Sequence, residues 1–291
     1  MFLNPRYYEE INEKGYIILP FLDETDLKDI KAIYEKYINP KEIVYKDNMF
    51  MTSWSLDPKI KIGVSSELKT ILDEKCKLYF ENFKSTNQLF SIKKENTKKI
   101  FPLHQDWSIV DESKYLSLNF WIPIQDTDSK NGAIKIIPQS HKLNNYIRGA
   151  GYLFPNFESL NKDISPYLFT TDLKKGEALI FFQRTIHGSH PNKTNNVRNA
   201  LCFSIYDKDA RFQTYFQATK NDPLEIHFPD EDFMFKYDDL QKDSEKNRPS
   251  SSYTIDSKPY TIEPITISKI KSVCTRQDNS FFSRAKKLFF N

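Results

Sequence analysis

Cysteine is scarce: Cys76, Cys202 and Cys274 are the only three in 291 residues. They are odd in number and far apart, which argues against a disulfide framework and fits reduced thiols in the cytoplasm. No run of about eighteen apolar residues exists, so no membrane span is expected. The opening Met-Phe-Leu-Asn-Pro-Arg-Tyr-Tyr-Glu-Glu has neither a basic lead nor an apolar run, and no secretory signal is read there. Charge of one sign is missing too: 42 Lys and Arg face 39 Asp and Glu. With cations and anions interleaved there is no basic stripe to follow a phosphate backbone, so nucleic acid is not an expected partner. What is left is a soluble chain, 28% charged, long enough to bury a sizeable core.

The N-terminal part has helical punctuation. Asn4-Pro5 and Gly15 bracket a short first helix, and residues 16–19 read as a strand. Asp23 caps a second helix whose Leu27, Ile30, Ile33, Tyr34, Tyr37 and Ile38 recur at helical spacing before Asn39-Pro40 stops it. A third helix is expected after Ser66, with Leu68, Ile71, Leu72, Tyr79 and Phe83 inward. From residue 87 the period becomes strand-like, and six to eight strands are expected up to about Tyr206. The whole predicts a mainly β protein with flanking helices, built on a double-stranded β-helix, or jelly roll. We divide it as a helical flank (1–86), a catalytic core (87–237) and a C-terminal extension (238–291), forming one catalytic domain.

Two stretches break the rhythm. Residues 142–165 exceed a plain connection and hold Gly149, Gly151 and several aromatics, which suits either a substrate-contacting lid or a surface loop packed by its own Tyr152, Leu153, Phe154 and Phe157. Residues 238–258 are polar and rich in Ser, Asp and Lys, and read as a linker. The aromatic and basic residues of 281–290 suit packing on the core better than an interfacial membrane helix.

Chemistry concentrates in His104-Gln105-Asp106 and His187-Gly188-Ser189, with Arg198 eleven residues after His187. In a strand, positions i and i+2 share a face, so His104 and Asp106 can offer an imidazole and a carboxylate to one ion, with a histidine from a distant strand as third ligand. Two His and one carboxylate with open positions is the set used by non-haem Fe(II) oxygenases. His190 competes with His187 for the third place, but only His187 has the Gly-Ser context and the Arg at plus eleven. His141 reads as a structural hydrogen-bonding residue and His227 as a loop residue. Trp107, beside the ligand pair, is a candidate substrate contact.

On these residues the chain resembles the phytanoyl-CoA dioxygenase family of Fe(II)/2-oxoglutarate oxygenases. The resemblance rests on His-x-Asp at 104–106, the aromatic strand 115–124 ending in Pro and an acidic turn, Asn131-Gly132 before a strand ending in Pro138-Gln-Ser-His141, and His187-Gly-Ser-x-x-Asn192 before Arg198. It covers about residues 8–207. Gln139 departs from it, standing where the family usually has Gly, and suggests a slightly different turn.

The resemblance implies Fe(II) on His104, Asp106 and His187, with 2-oxoglutarate and O2 as co-substrates. Arg198 would take the distal carboxylate of 2-oxoglutarate, for which a planar guanidinium is suited. Ser189 would add a hydroxyl to the same carboxylate, and Gln105 and Trp121 would be co-substrate neighbours. The expected reaction hydroxylates an unactivated C–H bond of a small metabolite, in biosynthesis or tailoring, releasing succinate and CO2. Asp106 disfavours halogenation, for which related enzymes replace this carboxylate by Ala or Gly. Desaturation, cyclisation and a non-catalytic jelly-roll scaffold stay open as alternatives.

Overall fold

The structure is a computed structural model that describes residues 1–143, 146–154, 157, 161–229, 253–255 and 259–274. The tail helix considered at 281–290 lies outside these residues, as does most of the linker at 238–258.

The expected helices form, with caps that explain their ends. In α1 (Pro5–Lys14) the Asn4 side chain accepts from Arg6 N, and Gly15 closes the helix at φ +86°. After β1 (Tyr16–Pro20), Asp23 and Asp26 make a reciprocal capping box at the start of α2 (Glu24–Tyr37). Following β2 (Met49–Met51) comes α3 (Pro58–Cys76), which begins eight residues earlier than Ser66 because Asp57 caps it and Pro58 is pre-set for its first turn.

The strands that follow are β3 (Phe83–Lys93), β4 (Phe101–His104), β5 (Ser117–Pro123), β6 (Ile134–Ile136), β7 (Ala150–Gly151), β8 (Phe169–Thr170), β9 (Glu177–Phe182), β10 (His187–Ser189), β11 (Arg198–Asp207), β12 (Thr214–Gln217) and β13 (Glu225–His227). A six-stranded antiparallel sheet runs β1-β9-β5-β11-β3-β2, and a four-stranded one runs β4-β10-β6-β8. Together they form the double-stranded β-helix, a jelly roll with helices on the outer face of its larger sheet.

Period-2 alternation decides which side chains meet. On the larger sheet Ile17, Leu19, Phe120, Ile122, Ile180, Leu201 and Phe203 pack with Ile30, Ile33, Val64, Leu68 and Leu72 of the helices. The alternate residues Tyr16, Trp121, Leu179, Phe181 and Ala200 pack with Ile134 and Ile136 of the smaller sheet. Both faces are thus buried, which is why these strands read as nearly continuous apolar runs.

The 142–165 segment is anchored by β7, which pairs in parallel with β12. Parts of the C-terminal extension return to the core. Tyr253–Ile255, inside the stretch read as a linker, forms β14 against β13, and Ile270 of α4 (Ile267–Val273) packs with Leu103, Ile137, Phe157 and Ile186. Among the described residues no helix is long and apolar enough to cross a membrane.

Candidate metal centre

His104 and His187 are direct cross-strand partners in the β4–β10 pair, with ring centroids 4.2 Å apart. This register is possible because residue 188 is glycine: a Cβ there would lie 2.7 Å from the Phe101 carbonyl oxygen and 2.9 Å from that of Pro102. The strand expected to carry both His104 and Asp106 ends at His104. Asp106 lies just beyond it, its N–H donating to the Gln183 carbonyl at 2.9 Å. One carboxylate oxygen is 3.6 Å from His104 Nε2 and the other 3.4 Å from His187 Nε2. Ligand atoms of the three residues all lie within 4.8 Å of one another.

The surroundings of the triad suit a metal. His104 Nδ1 is 2.9 Å from the Pro102 carbonyl and His187 Nδ1 is 3.0 Å from that of Thr185, so each Nδ1 carries a proton and each Nε2 is the nitrogen left to face the third ligand. Burial and the neighbouring His104 push the His187 imidazole down to about 4, keeping it neutral. Burial alone would raise the Asp106 carboxyl, but His187 and His104 bring it down to about 2, so it is an anion. Burial would likewise lower His104, yet Asp106 holds it above its ordinary value. One Asp106 carboxylate oxygen accepts from Asn119 Nδ2, and Asn119 Oδ1 accepts from Ser204 Oγ at 2.6 Å. Two imidazoles that turn Nε2 toward an oriented carboxylate fit a divalent iron, which would take the place of any proton that Asp106 holds on His104.

Next to this triad is a buried cationic pair. Arg198 and Lys93 are direct partners in the β11–β3 register, each about 1% exposed. The Arg198 guanidinium donates to the Ser91 carbonyl at 3.0 Å and lies 5.3 Å from the Trp121 ring, while its Nε has no partner. Lys93 Nζ donates to Ser189 Oγ at 2.6 Å and to the His190 carbonyl. Burial and the adjacent Arg198 push Lys93 down to about 7, and burial pushes Arg198 down to about 10. No carboxylate among the described residues pairs with either, so a bound dianion such as 2-oxoglutarate fits the orphaned guanidinium edge.

Lys93 escaped the sequence reading, although period-2 spacing from Leu89 and Ser91 places it on their face. The other expected residues distribute as follows. Trp121 flanks Arg198. Ser189 is engaged with Lys93. Gln105 gives its amide to the Arg184 carbonyl, so that donor is used inside the protein. Trp107 is buried with Ala150 and Phe216. His190 faces away from the triad, its Nε2 2.8 Å from Thr170 Oγ1. His141 is structural, bonded to the Asn12 carbonyl at 2.9 Å and stacked on Phe182. His227, expected in a loop, is instead a buried strand residue 2.8 Å from Glu225. Gln139, where a slightly different turn was expected, adopts φ +67°, the left-handed conformation that glycine would take more cheaply.

A cavity of about 640 Å³ opens on the triad and Arg198. Met49, Met51, Trp54, Leu89, Trp107 and Phe154 are among its walls, the last from the 142–165 segment.

The sequence profile of the phytanoyl-CoA dioxygenase (PhyH) family matches residues 11–200. No curated protein sequence matches the chain. Its fold is similar to the α-ketoglutarate-dependent carbocyclase SnoK from nogalamycin biosynthesis, at TM-score 0.53 and 18% identity over 72% of this chain and 86% of that one. The epimerase SnoN, solved with Fe3+, α-ketoglutarate and nogalamycin RO, is similar at TM-score 0.53 and 16% identity over 72% and 85%. HygX from Streptomyces hygroscopicus, solved with nickel and 2-oxoglutarate, is similar at TM-score 0.52 and 13% identity over 70% and 87%. With its family's profile spanning most of its length and a His-Asp-His cluster in the fold, the chain belongs to the phytanoyl-CoA dioxygenase family, as a non-haem iron- and 2-oxoglutarate-dependent oxygenase.

Proposed function

We propose that this enzyme hydroxylates an unactivated C–H bond of a small molecule with an apolar body, converting 2-oxoglutarate and O2 to succinate and CO2 as one oxygen atom enters the substrate. The observation that carries the reading is the apposition of three groups: a triad of two imidazoles and a carboxylate, a buried cationic pair with no carboxylate partner among the described residues, and an apolar cavity touching both.

In this reading His104, Asp106 and His187 hold Fe(II). Arg198 and Lys93 take the distal carboxylate of 2-oxoglutarate, Ser189 completes that end with its hydroxyl proton, and Trp121 flanks the guanidinium. Bound iron supplies O2 activation and hydrogen abstraction, and the protein's work is to orient the co-substrate, exclude water and aim one C–H bond. Beyond these groups and Cys202 the ionisable lining of the cavity is Lys46, Asp47, Lys98 and Lys99. Three cations against one anion favour a neutral or anionic substrate over a polyamine. The three cysteines are unpaired, in keeping with the cytoplasm as its compartment.

The test is an anaerobic titration of the protein with Fe(II) and then 2-oxoglutarate, followed by visible absorbance. A metal-to-ligand charge-transfer band in wild type and His190→Ala, absent in His187→Ala, is the expected result and opens a screen for substrate-dependent succinate release. A folded wild type without the band overturns the reading in favour of a scaffold.

A further inference from the structure

Arg148 lies two residues before β7, and its side chain is 1% exposed. All three guanidinium nitrogens are engaged: Nε donates to the backbone carbonyl of Asp106 at 2.7 Å, Nη2 to Glu112 Oε1 at 2.5 Å, and Nη1 to the Tyr146 carbonyl. Its own backbone bonds the same stretch in both directions, with Ser108 N–H donating to the Arg148 carbonyl at 3.0 Å and Arg148 N–H donating to Ser108 Oγ at 3.3 Å. The network runs on from Glu112, which faces Arg184 Nη1 at 3.8 Å. Arg184 donates Nε to the His141 carbonyl and accepts from Gln105 at its own carbonyl.

Asp106 needs such support because no sheet ladder holds it. Its N–H is fixed by Gln183 and its C=O by Arg148, so the backbone on both sides of its Cα is set by one bond from the turn before β10 and one from the 142–165 segment. We propose that Arg148 is a positioning residue for the metal centre. The 142–165 segment, through this one side chain, sets the carbonyl and hence the carboxylate direction of Asp106, and so tunes divalent-metal affinity. The proposal rests on Asp106 being a metal ligand. Lys at this position can reach Glu112 or the Asp106 carbonyl but lacks the planar fork that spans both.

Co(II) serves as the probe, read by its visible absorption during titration of the purified full chain, with His187→Ala as the control that loses the site. Changes around metal ligands of this kind typically weaken binding by about ten- to a hundredfold. Arg148→Lys is expected to show a loss of that size with near-native near-ultraviolet circular dichroism. The double variant Arg148→Met/Glu112→Gln, which removes both charges of the pair, is expected to show the same loss and carries the test if Arg148→Lys does not fold. Glu112→Gln alone keeps the bond to Asp106 and is expected to stay within about threefold of wild type. Folded Arg148 variants with wild-type Co(II) affinity would overturn the proposal, as would Glu112→Gln losing as much as Arg148→Lys. If neither Arg148 variant folds, Arg148 holds the fold and does not tune the site, and the proposal also fails. A wild type that binds no Co(II) in a His187-dependent manner instead overturns the metal-centre reading itself.

Discussion

Two buried arginines approach the candidate metal centre, and their surroundings differ in one respect. Arg148 is neutralised by Glu112, and its guanidinium nitrogens all have partners within the chain. Arg198 faces another cation, Lys93, and keeps an unpartnered Nε. A buried cation without an anion is costly, and a folded protein tolerates it where a ligand supplies the missing charge. The neutralised cluster is therefore built into the fold, and in the proposed reading the unneutralised one is left for a co-substrate. Substitutions should separate the two by what each damages.

The largest effect is expected from Arg148→Met, which leaves Glu112 with only the looser contact to Arg184 at 3.8 Å. Breaking a buried pair in this way costs about 3–5 kcal/mol, and thermal denaturation should show a fall on the order of 10 °C. An unchanged melting temperature would remove the distinction between the clusters. Arg198→Ala should act on the other axis, weakening 2-oxoglutarate by about 3 kcal/mol, roughly a hundredfold, while Fe(II) binding stays near wild type. Equal loss of iron and co-substrate in the anaerobic titration would contradict the assigned roles.

The contrast also marks how far the sequence could be read. His104, Asp106, His187 and Arg198 stand in short motifs with fixed spacing, and the structure brings them to one cavity. The caps at Asn4, Asp23 and Gly15 are local chemistry, so α1 and α2 were legible to within a residue or two. Lys93 and Arg148 were not, because what distinguishes them is burial and pairing across long separations. Lys93 precedes Lys94-Glu95 and looks like the polar end of a strand; only the register that sets it opposite Arg198 makes it part of the site. Arg148 sits in a segment whose helical or strand period is too short to read, and its bond to Asp106 spans 42 positions. Helix α3 began early for a simpler reason, since Asp57-Pro58 is a start signal that the more obvious apolar spacing after Ser66 obscured.

Lys93→Met sharpens the comparison at intermediate size. Removal of a buried, unneutralised cation should leave the co-substrate-free protein as stable as wild type or more so, and weaken 2-oxoglutarate by about 1–2 kcal/mol, or about tenfold. The same residue sets a pH dependence. Burial beside Arg198 pushes its amine down to about 7, whereas in the unfolded chain it titrates at about 10. Between those values the unfolded chain binds the proton and the folded one does not, so stability without co-substrate should rise with pH across that window. Below 7 both states are protonated and the folded protein carries the whole penalty. A bound dicarboxylate restores the proton, so 2-oxoglutarate affinity should fall as pH rises above about 7, and Lys93→Met should flatten the slope. An equal slope in that variant would assign the titration elsewhere.

The smallest effect is expected at His190, three residues from a proposed ligand and next to the cationic pair. Its imidazole is tied to Thr170 at 2.8 Å, and burial, together with Lys135 and Lys93, pushes it down to about 4. What it gives the site is its backbone carbonyl, which accepts from Lys93 and survives substitution. His190→Ala should therefore keep Fe(II) and 2-oxoglutarate affinities within about twofold of wild type, since only a hydroxyl–imidazole bond to Thr170 is lost. The reverse outcome, with His190→Ala losing the charge-transfer band and His187→Ala keeping it, would move the third ligand to the other histidine. The His104–His187 register would then be a structural pairing, and the unneutralised cluster would lose its neighbouring metal.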